Sequence, residues 1–279
     1  MRALGRIILV FSILLSVSTI ASADTLGTYY ITDYNGSQVY MVNGQTVSSF
    51  TAQPNETPIA VSGGTIRLES AFLLPGHSYD LSGNKLGNTA GAGLPGMKIF
   101  DATTDGTNNY FIFGNNKTVY KTDLDYGNPT ALFTGRPGQF ITYDPTNNSL
   151  WLSGGWTPSW APLTTISDYS LDGTLLSSFD TGLSNNALAF DPADSSLWVA
   201  NADPTNRYQL DLAQYSRTGT VLSTMTVTLP SRLSGPFGGE FGEQGYVPPI
   251  SGSVPEPTSF LLLGSGILGL GAAKRRARS

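Results

Sequence analysis

Phe190-Asp191-Pro192-Ala193-Asp194-Ser195-Ser196-Leu197-Trp198-Val199 stands 47 residues after Tyr143-Asp144-Pro145-Thr146-Asn147-Asn148-Ser149-Leu150-Trp151-Leu152, and the two stretches share one pattern. Each is an apolar strand, an Asp-Pro turn and a second apolar strand. Each is followed, at similar distance, by an alternating segment broken at a glycine: Asp168-Tyr169-Ser170-Leu171-Asp172-Gly173-Thr174-Leu175-Leu176 and Ala213-Gln214-Tyr215-Ser216-Arg217-Thr218-Gly219-Thr220-Val221-Leu222. Alternation on both sides of such a turn signals a β-hairpin. Weaker copies lie upstream. Ser78 to Leu86 and Gln38 to Val47 match the third-strand hairpin, while Lys98 to Asp101, Asp105-Gly106 and Tyr110 to Phe113 match the first two strands.

First strands beginning near Pro58, Lys98, Phe140 and Ala187 are 40, 42 and 47 residues apart. Four short strands in about 40 to 50 residues is the period of a β-propeller blade. The predicted fold is therefore all-β, with a β-sandwich as the alternative. Residues 27–52 begin at the equivalent of a second strand, and Pro236-Phe237-Gly238-Gly239-Glu240-Phe241 resembles an unpaired first strand. Together they would complete one blade, closing five blades from both ends of the body and removing exposed sheet edges. A sixth, irregular blade within residues 53–97 is the other count the spacing allows.

Composition narrows the chemistry. The chain has 279 residues, 13% charged, with 13 Tyr, 13 Phe and 4 Trp, no Cys and a single His, His77. This is ample material for a folded core. Without Cys there is no disulfide, thiolate zinc site or cysteine nucleophile. One histidine rules out a multi-histidine metal site and leaves a single candidate for a Ser-His-Asp triad. No phosphate loop, dinucleotide fingerprint or Gly-x-Ser-x-Gly elbow occurs, so no cofactor is expected.

Both ends look like addresses. Arg2 and Arg6, the apolar run Ile7 to Val17 and the small residues Ala21-Ser22-Ala23 form a secretory signal peptide over residues 1–23, with the mature start at Asp24. The other end has Pro255-Glu256-Pro257, then uncharged Phe260 to Ala273, then Lys274-Arg275-Arg276-Ala277-Arg278. Fourteen residues make about 21 Å of helix against a hydrocarbon core of about 30 Å, a short single C-terminal transmembrane span that needs help from Thr258, Ser259 and snorkelling basic side chains. The basic end would stay in the cytoplasm and hold residues 24–257 outside the inner membrane.

That order of motif, Gly-rich apolar helix and basic end resembles the PEP-CTERM sorting tail of exported proteins of Gram-negative bacteria, over about the last 26 residues. The resemblance implies a processing partner, the membrane enzyme exosortase, which would recognise Pro255, Glu256 and Pro257 and remove or exchange the tail. It also implies a host that makes extracellular polysaccharide. The same tail occurs on some ice-binding proteins, a label that says nothing about the body. The domain reading is a signal peptide at 1–23, a propeller at 24–246, a linker at 247–254 and a sorting tail at 255–279. The destination is the cell surface or the medium.

Nine basic and nineteen acidic residues between Asp24 and Val254 give the body a net charge of −10, which argues against nucleic acid and anionic lipid as partners, and against charge-driven binding of an acidic polysaccharide unless divalent cations bridge the two. Within it, Asp101, Asp144 and Asp191 share what looks like one repeat position and are read as turn-capping residues, not catalytic acids. Trp151 and Trp198 are read as core. Asp123-Leu124-Asp125-Tyr126-Gly127-Asn128 alternates oxygens like a calcium loop but lacks the later Glu, so a hairpin turn is expected and no metal. His77 is assigned to a surface loop.

The repeats differ most in the loops after the second strands, where function collects. Trp156 and Trp160 in one loop, with Asp203, Asn206 and Arg207 in its counterpart, are the candidate ligand-binding residues, aromatic rings stacking on sugar and polar groups reading hydroxyls. The expected function is a non-catalytic exported protein that binds extracellular polysaccharide or envelope proteins. The rival is a polysaccharide hydrolase or lyase using paired carboxylates.

Overall fold

In a computed structural model the described residues are 27–33, 37–71, 75–91, 93, 99–113, 117–134, 138–155 and 162–242. The signal peptide, the linker and the sorting tail lie outside them, so neither the mature start nor the transmembrane span is described here. Among the described residues no helix is long and apolar enough to cross a membrane.

The described residues form five four-stranded antiparallel sheets, the blades of a β-propeller. Blade 1 orders β20 (Pro236–Phe241), β1 (Tyr29–Asp33), β2 (Gln38–Asn43) and β3 (Thr46–Thr51) from the inside out. Blade 2 is β4 (Glu56–Ser62), β5 (Thr65–Ser70), β6 (His77–Asp80) and β7 (Lys85–Asn88). Blade 3 is β8 (Ile99–Thr104), β9 (Asn108–Phe113), β10 (Thr118–Asp123) and β11 (Thr130–Phe133). Blade 4 is β12 (Phe140–Asp144), β13 (Ser149–Ser153), β14 (Thr165–Ser170) and β15 (Leu175–Asp180). Blade 5 is β16 (Ala189–Asp191), β17 (Ser196–Ala202), β18 (Gln209–Tyr215) and β19 (Val221–Thr228).

The predicted closure is present. β20 pairs antiparallel with β1, Tyr29 opposite Phe241 and Ile31 opposite Gly239, and the Gly242 amide donates to the Thr28 carbonyl at 2.9 Å. Among the described residues of 53–97 there is one regular blade, so the described blades number five.

Why these strands stand as blades follows from their side chains. Alternate residues of a strand point to opposite faces. In β1, Tyr29 and Ile31 face blade 5, packing with Trp198, Leu212 and Leu233, while Tyr30 faces blade 2, packing with Ile59, Leu68 and Tyr79. The other three junctions are filled in the same way, and each of the five junctions has its own apolar cluster. Inner strands are apolar on both faces, hence their near-continuous burial. Outer strands such as β15, with four consecutive exposed residues, are half polar. Trp151 and Trp198 are buried as expected.

Inner strands are also tied to one another by side chains. The Thr103 hydroxyl of β8 accepts the Tyr143 amide of β12 at 3.0 Å, and the Thr142 hydroxyl of β12 accepts the Phe190 amide of β16 at 2.9 Å. These two threonines are structural equivalents, which corrects the alignment of the acids. Asp144 and Asp191 end their inner strands, and Asp105, not Asp101, is their counterpart in blade 3. Asp105 caps its turn by accepting the amides of Thr107 and Asn108. Asp101 lies in mid-strand. A bulge between Ile99 and Asp101 shifts the register, so counting along the chain misassigns it.

Candidate functional site

Because strands alternate in direction, the second-to-third-strand loops and the connections between blades emerge on one face of the propeller, called upper here. The loop 203–208 on that face is built by its own polar groups. The Asp203 carboxylate accepts the Thr205 amide at 2.6 Å, the Thr205 hydroxyl at 2.7 Å and the Asn206 amide at 3.0 Å. Those bonds, the Thr205 hydroxyl first, hold its pKa below the usual carboxylate range. Asn206 in turn accepts the Tyr208 amide through its side chain and the Gln209 amide through its carbonyl. Both residues are thus committed to shaping the loop, and the exposed Arg207 is what the loop presents.

The connection from β19 to β20 is laid against this loop. The Tyr208 carbonyl accepts the Leu229 amide and the Arg207 carbonyl accepts the Leu233 amide, both at 2.8 Å. Leu229 and Leu233 are buried in the cluster at the junction of blades 5 and 1. From blade 1, the Tyr40 hydroxyl bonds the Ser231 hydroxyl at 2.9 Å, and buried Asp33 accepts the amides of Ser234 at 2.9 Å and Gly235 at 3.1 Å. Arg207 reaches across to donate to the Ser234 carbonyl at 3.3 Å. The result is an open pocket of about 390 Å³ lined by Arg207, Arg232, Leu233 and Ser234. Trp156 and Trp160 lie outside the described residues. Arg207 therefore meets the β19–β20 connection, which Asp33 of β1 holds in place. Arg232 and Ser234, which the sequence reading missed, left no motif: their connection reads as an ordinary Pro- and Ser-containing loop.

Two further groups of acids lie apart from the pocket. Glu56, which opens β4, bonds His77 Nδ1 through Oε1 and accepts the Tyr79 hydroxyl through Oε2 at 2.8 Å. His77 thus begins β6 and is paired, a correction to its assignment as a loop residue. The partner is 21 residues upstream and is brought to it by the β4–β5–β6 pairing, which sequence spacing does not display. Nearby Glu69 accepts the Thr89 hydroxyl at 3.1 Å, and burial pushes its pKa up to about 7. On the inner strands, Asp101 and Glu240 are both buried, and burial raises each well above the usual range. The Asp101 oxygens accept the amides of Ala102 and Ile141. Among the described residues no group of three or more His, Asp or Glu side chains is arranged to hold a metal ion. The segment Asp123 to Asn128 is a hairpin turn, with Asp123 accepting the amides of Asp125 and Gly127.

Comparison with known proteins agrees with this architecture. A subunit of a nidogen/laminin complex is similar at 14% identity, covering 78% of this chain and 99% of its own, with a TM-score of 0.53. A Bacteroides caccae protein of unknown function (12% identity, 72% of this chain and 73% of that one, TM-score 0.46) and Myxococcus xanthus glutaminyl cyclase (13%, 74% and 78%, 0.43) are more distant in shape. No curated protein matches the chain. Residues 253–276 match the model of the PEP-CTERM protein-sorting motif. The chain thus carries a five-bladed propeller and, later in its sequence, a PEP-CTERM sorting motif, the mark of a protein exported and held at a membrane for sorting by an exosortase.

Proposed function

We propose that the exported propeller is a non-catalytic binding protein of the cell envelope or extracellular matrix, and that it takes a saccharide on its upper face. The observation that carries this reading is the pocket between loop 203–208 and the β19–β20 connection. Its walls are fixed by hydrogen bonds from two blades, and arginine side chains are left exposed on it. Preorganised polar walls suit a hydroxylated ligand. The hydrolase alternative needs two carboxyl groups facing a substrate, roughly 5 to 10 Å apart. The central acids offer it little support, since Asp101 is fully buried and its oxygens are taken by backbone amides. In this reading exosortase cuts or exchanges the tail at Pro255-Glu256-Pro257, and the propeller then meets extracellular polysaccharide outside the cell.

The test is a saccharide-binding screen on the full chain in detergent, with reducing-end release followed in parallel. Binding without release is the expected result, and Trp156→Ala and Trp160→Ala should weaken it. Release of reducing ends by the wild-type chain would overturn the reading. Intact-mass measurement of membrane and medium fractions from an exosortase-bearing host tests the sorting half. A product ending near Pro257 is expected, and a chain running to Ser279 in every fraction would refute processing.

A further inference from the structure

The charge of the pocket is opposite to that of the body. The body carries −10, and of the basic residues described, Arg67 is paired with Asp125 at 3.7 Å and Arg217 with Asp144 at 3.1 Å. Among the described residues Arg207 and Arg232 have no such partner. Arg207 gives one N–H to the Ser234 carbonyl, and Arg232 makes no hydrogen bond or ion pair among the described residues. Guanidinium groups do not lose their protons in proteins, so two of them lining one pocket keep their mutual repulsion until an anion arrives.

The pocket meets an anion mainly with side-chain donors. Tetrahedral phosphate is usually cradled by several free backbone amides. Here the Leu233 amide is used by the Arg207 carbonyl, and the amides of Ser234 and Gly235 are used by Asp33. With those amides engaged, the main donors left on the pocket are the planar N–H forks of the two arginines, which pair with the two oxygens of a carboxylate and, in the same way, with those of a phosphate. The side chain of Leu233, 1% exposed, is turned into the core behind the pocket, and the Ser234 hydroxyl donates to Asp33 at 3.3 Å, so the arginines carry the recognition. A pocket of about 390 Å³ is at the small end of the roughly 300 to 1,000 Å³ range of small-molecule sites, enough for a charged sugar unit but not for a long stretch of polymer.

We propose that this pocket is a carboxylate site, that Arg207 and Arg232 are its anion-binding residues, and that its ligand is the carboxylated unit of an acidic saccharide. The proposal rests on the saccharide-binding reading above and specifies its ligand. Long-range repulsion from the acidic body makes the interaction short-ranged, so the pocket selects a carboxylate already brought close by the rest of the glycan.

The experiment is calorimetric titration of the full chain in detergent with trigalacturonate, the neutral cellotriose and inorganic phosphate, for the wild type, Arg232→Gln and Arg207→Gln. Arg232 is exposed and forms no bond with the described fold, so its substitution leaves melting unchanged and isolates the pocket. Trigalacturonate is expected to bind, to weaken at least tenfold in either variant, and to weaken as salt is raised, while phosphate binds much less. Trigalacturonate bound equally by wild type and Arg232→Gln would overturn the proposal, as would phosphate bound as tightly as trigalacturonate. Cellotriose bound in preference to trigalacturonate would refute the carboxylate site and leave saccharide binding standing. No binding of either saccharide would count against both.

Discussion

Glu69 is a carboxyl whose burial is not matched by a positive partner. Loss of water raises its pKa most, the Thr89 hydroxyl and Ser70 amide lower it, and the Glu56 carboxylate raises it again, leaving it at about 7. In the unfolded chain it would titrate near 4.5, so the fold prefers its neutral form. Stability from this group is therefore full below about pH 4.5 and is lost as pH rises through about 7, on the order of 3 kcal/mol in all. Asp101 and Glu240, raised by burial in the ring, act in the same direction. The melting temperature should fall between pH 5 and pH 8, and Glu69→Gln should flatten that fall. Parallel wild-type and variant curves would remove Glu69 as the cause. Asp144 is the opposite case, a buried acid with full company: its Oδ2 accepts the Trp151 indole N–H and the Arg217 guanidinium, both at 3.1 Å, and its Oδ1 the Thr146 amide at 2.8 Å. Asp144→Ala strands that indole and should cost about 2–4 kcal/mol in chemical denaturation, whereas Arg217→Ala, removing a part-exposed partner, should cost about 1 kcal/mol or less. Equal losses would mean that the ion pair, not the indole bond, holds the turn. At this scale the sequence displays what is local: the Asp-Pro turn and the buried tryptophans can be read from neighbours in the chain. The Arg217 partner cannot, because it comes from another blade.

Elements are joined by a module that recurs at three junctions. A Phe on the fourth strand of one blade packs on a Tyr and on a turn Gly of the next: Phe50 with Tyr79 and Gly83, Phe133 with Tyr169 and Gly173, Phe179 with Tyr215 and Gly219. Ring centroids lie 5.3, 6.0 and 5.9 Å apart. Each Gly has φ between +83° and +87°, closes its hairpin by donating its amide N–H to the carbonyl of the residue three before it, and adjoins a bulge next to the Tyr. The bulge turns the third strand so that the Tyr ring and the bare Gly backbone form one flat seat for the Phe. A Cβ on Gly173 would stand 2.6 Å from Phe133 Cβ, so Gly173→Ala combines left-handed strain with a clash against a side-chain root that does not swing away. The expected cost is about 2–4 kcal/mol, read from denaturation midpoints. Phe179→Ala leaves its seat empty and should cost about 3 kcal/mol. If Gly173→Ala were neutral, the seat would be looser than its geometry states. The hairpin turns are legible in the sequence because positive φ selects Gly locally. The Phe that covers each turn is not, because blade packing chooses it and nothing between the two residues records the choice.

At the scale of the whole molecule the fold depends on pairing its two ends. Blade 1 takes its inner strand, β20, from one end of the described chain and its other three strands from the opposite end, and Gly238 and Gly239 let that inner strand run close to its neighbours. A Cβ on Gly238 would stand 2.3 Å from the Thr57 carbonyl, and one on Gly239 2.7 Å from the Ala187 carbonyl. This closure is legible in the sequence as a count, a body that begins one strand late and ends one strand over. The ring-facing acids are not, since only closure surrounds them. Because Thr28 and Gly242 are hydrogen-bonded at 2.9 Å, a short Gly-Ser linker would join them without strain, and the ring could be opened instead between β3 and β4, at residues 52–55. Such a permutant keeps every strand pair and should melt cooperatively within a few degrees of the original. A chain ending at Gly235 loses β20 and exposes the edges of β1 and the junction cluster around Tyr29 and Trp198. It should aggregate or melt far lower. Circular-dichroism melts of the two chains decide the matter: an intact truncation would mean that four blades and a partial fifth suffice, and a misfolded permutant would mean that closure is not interchangeable with a covalent link.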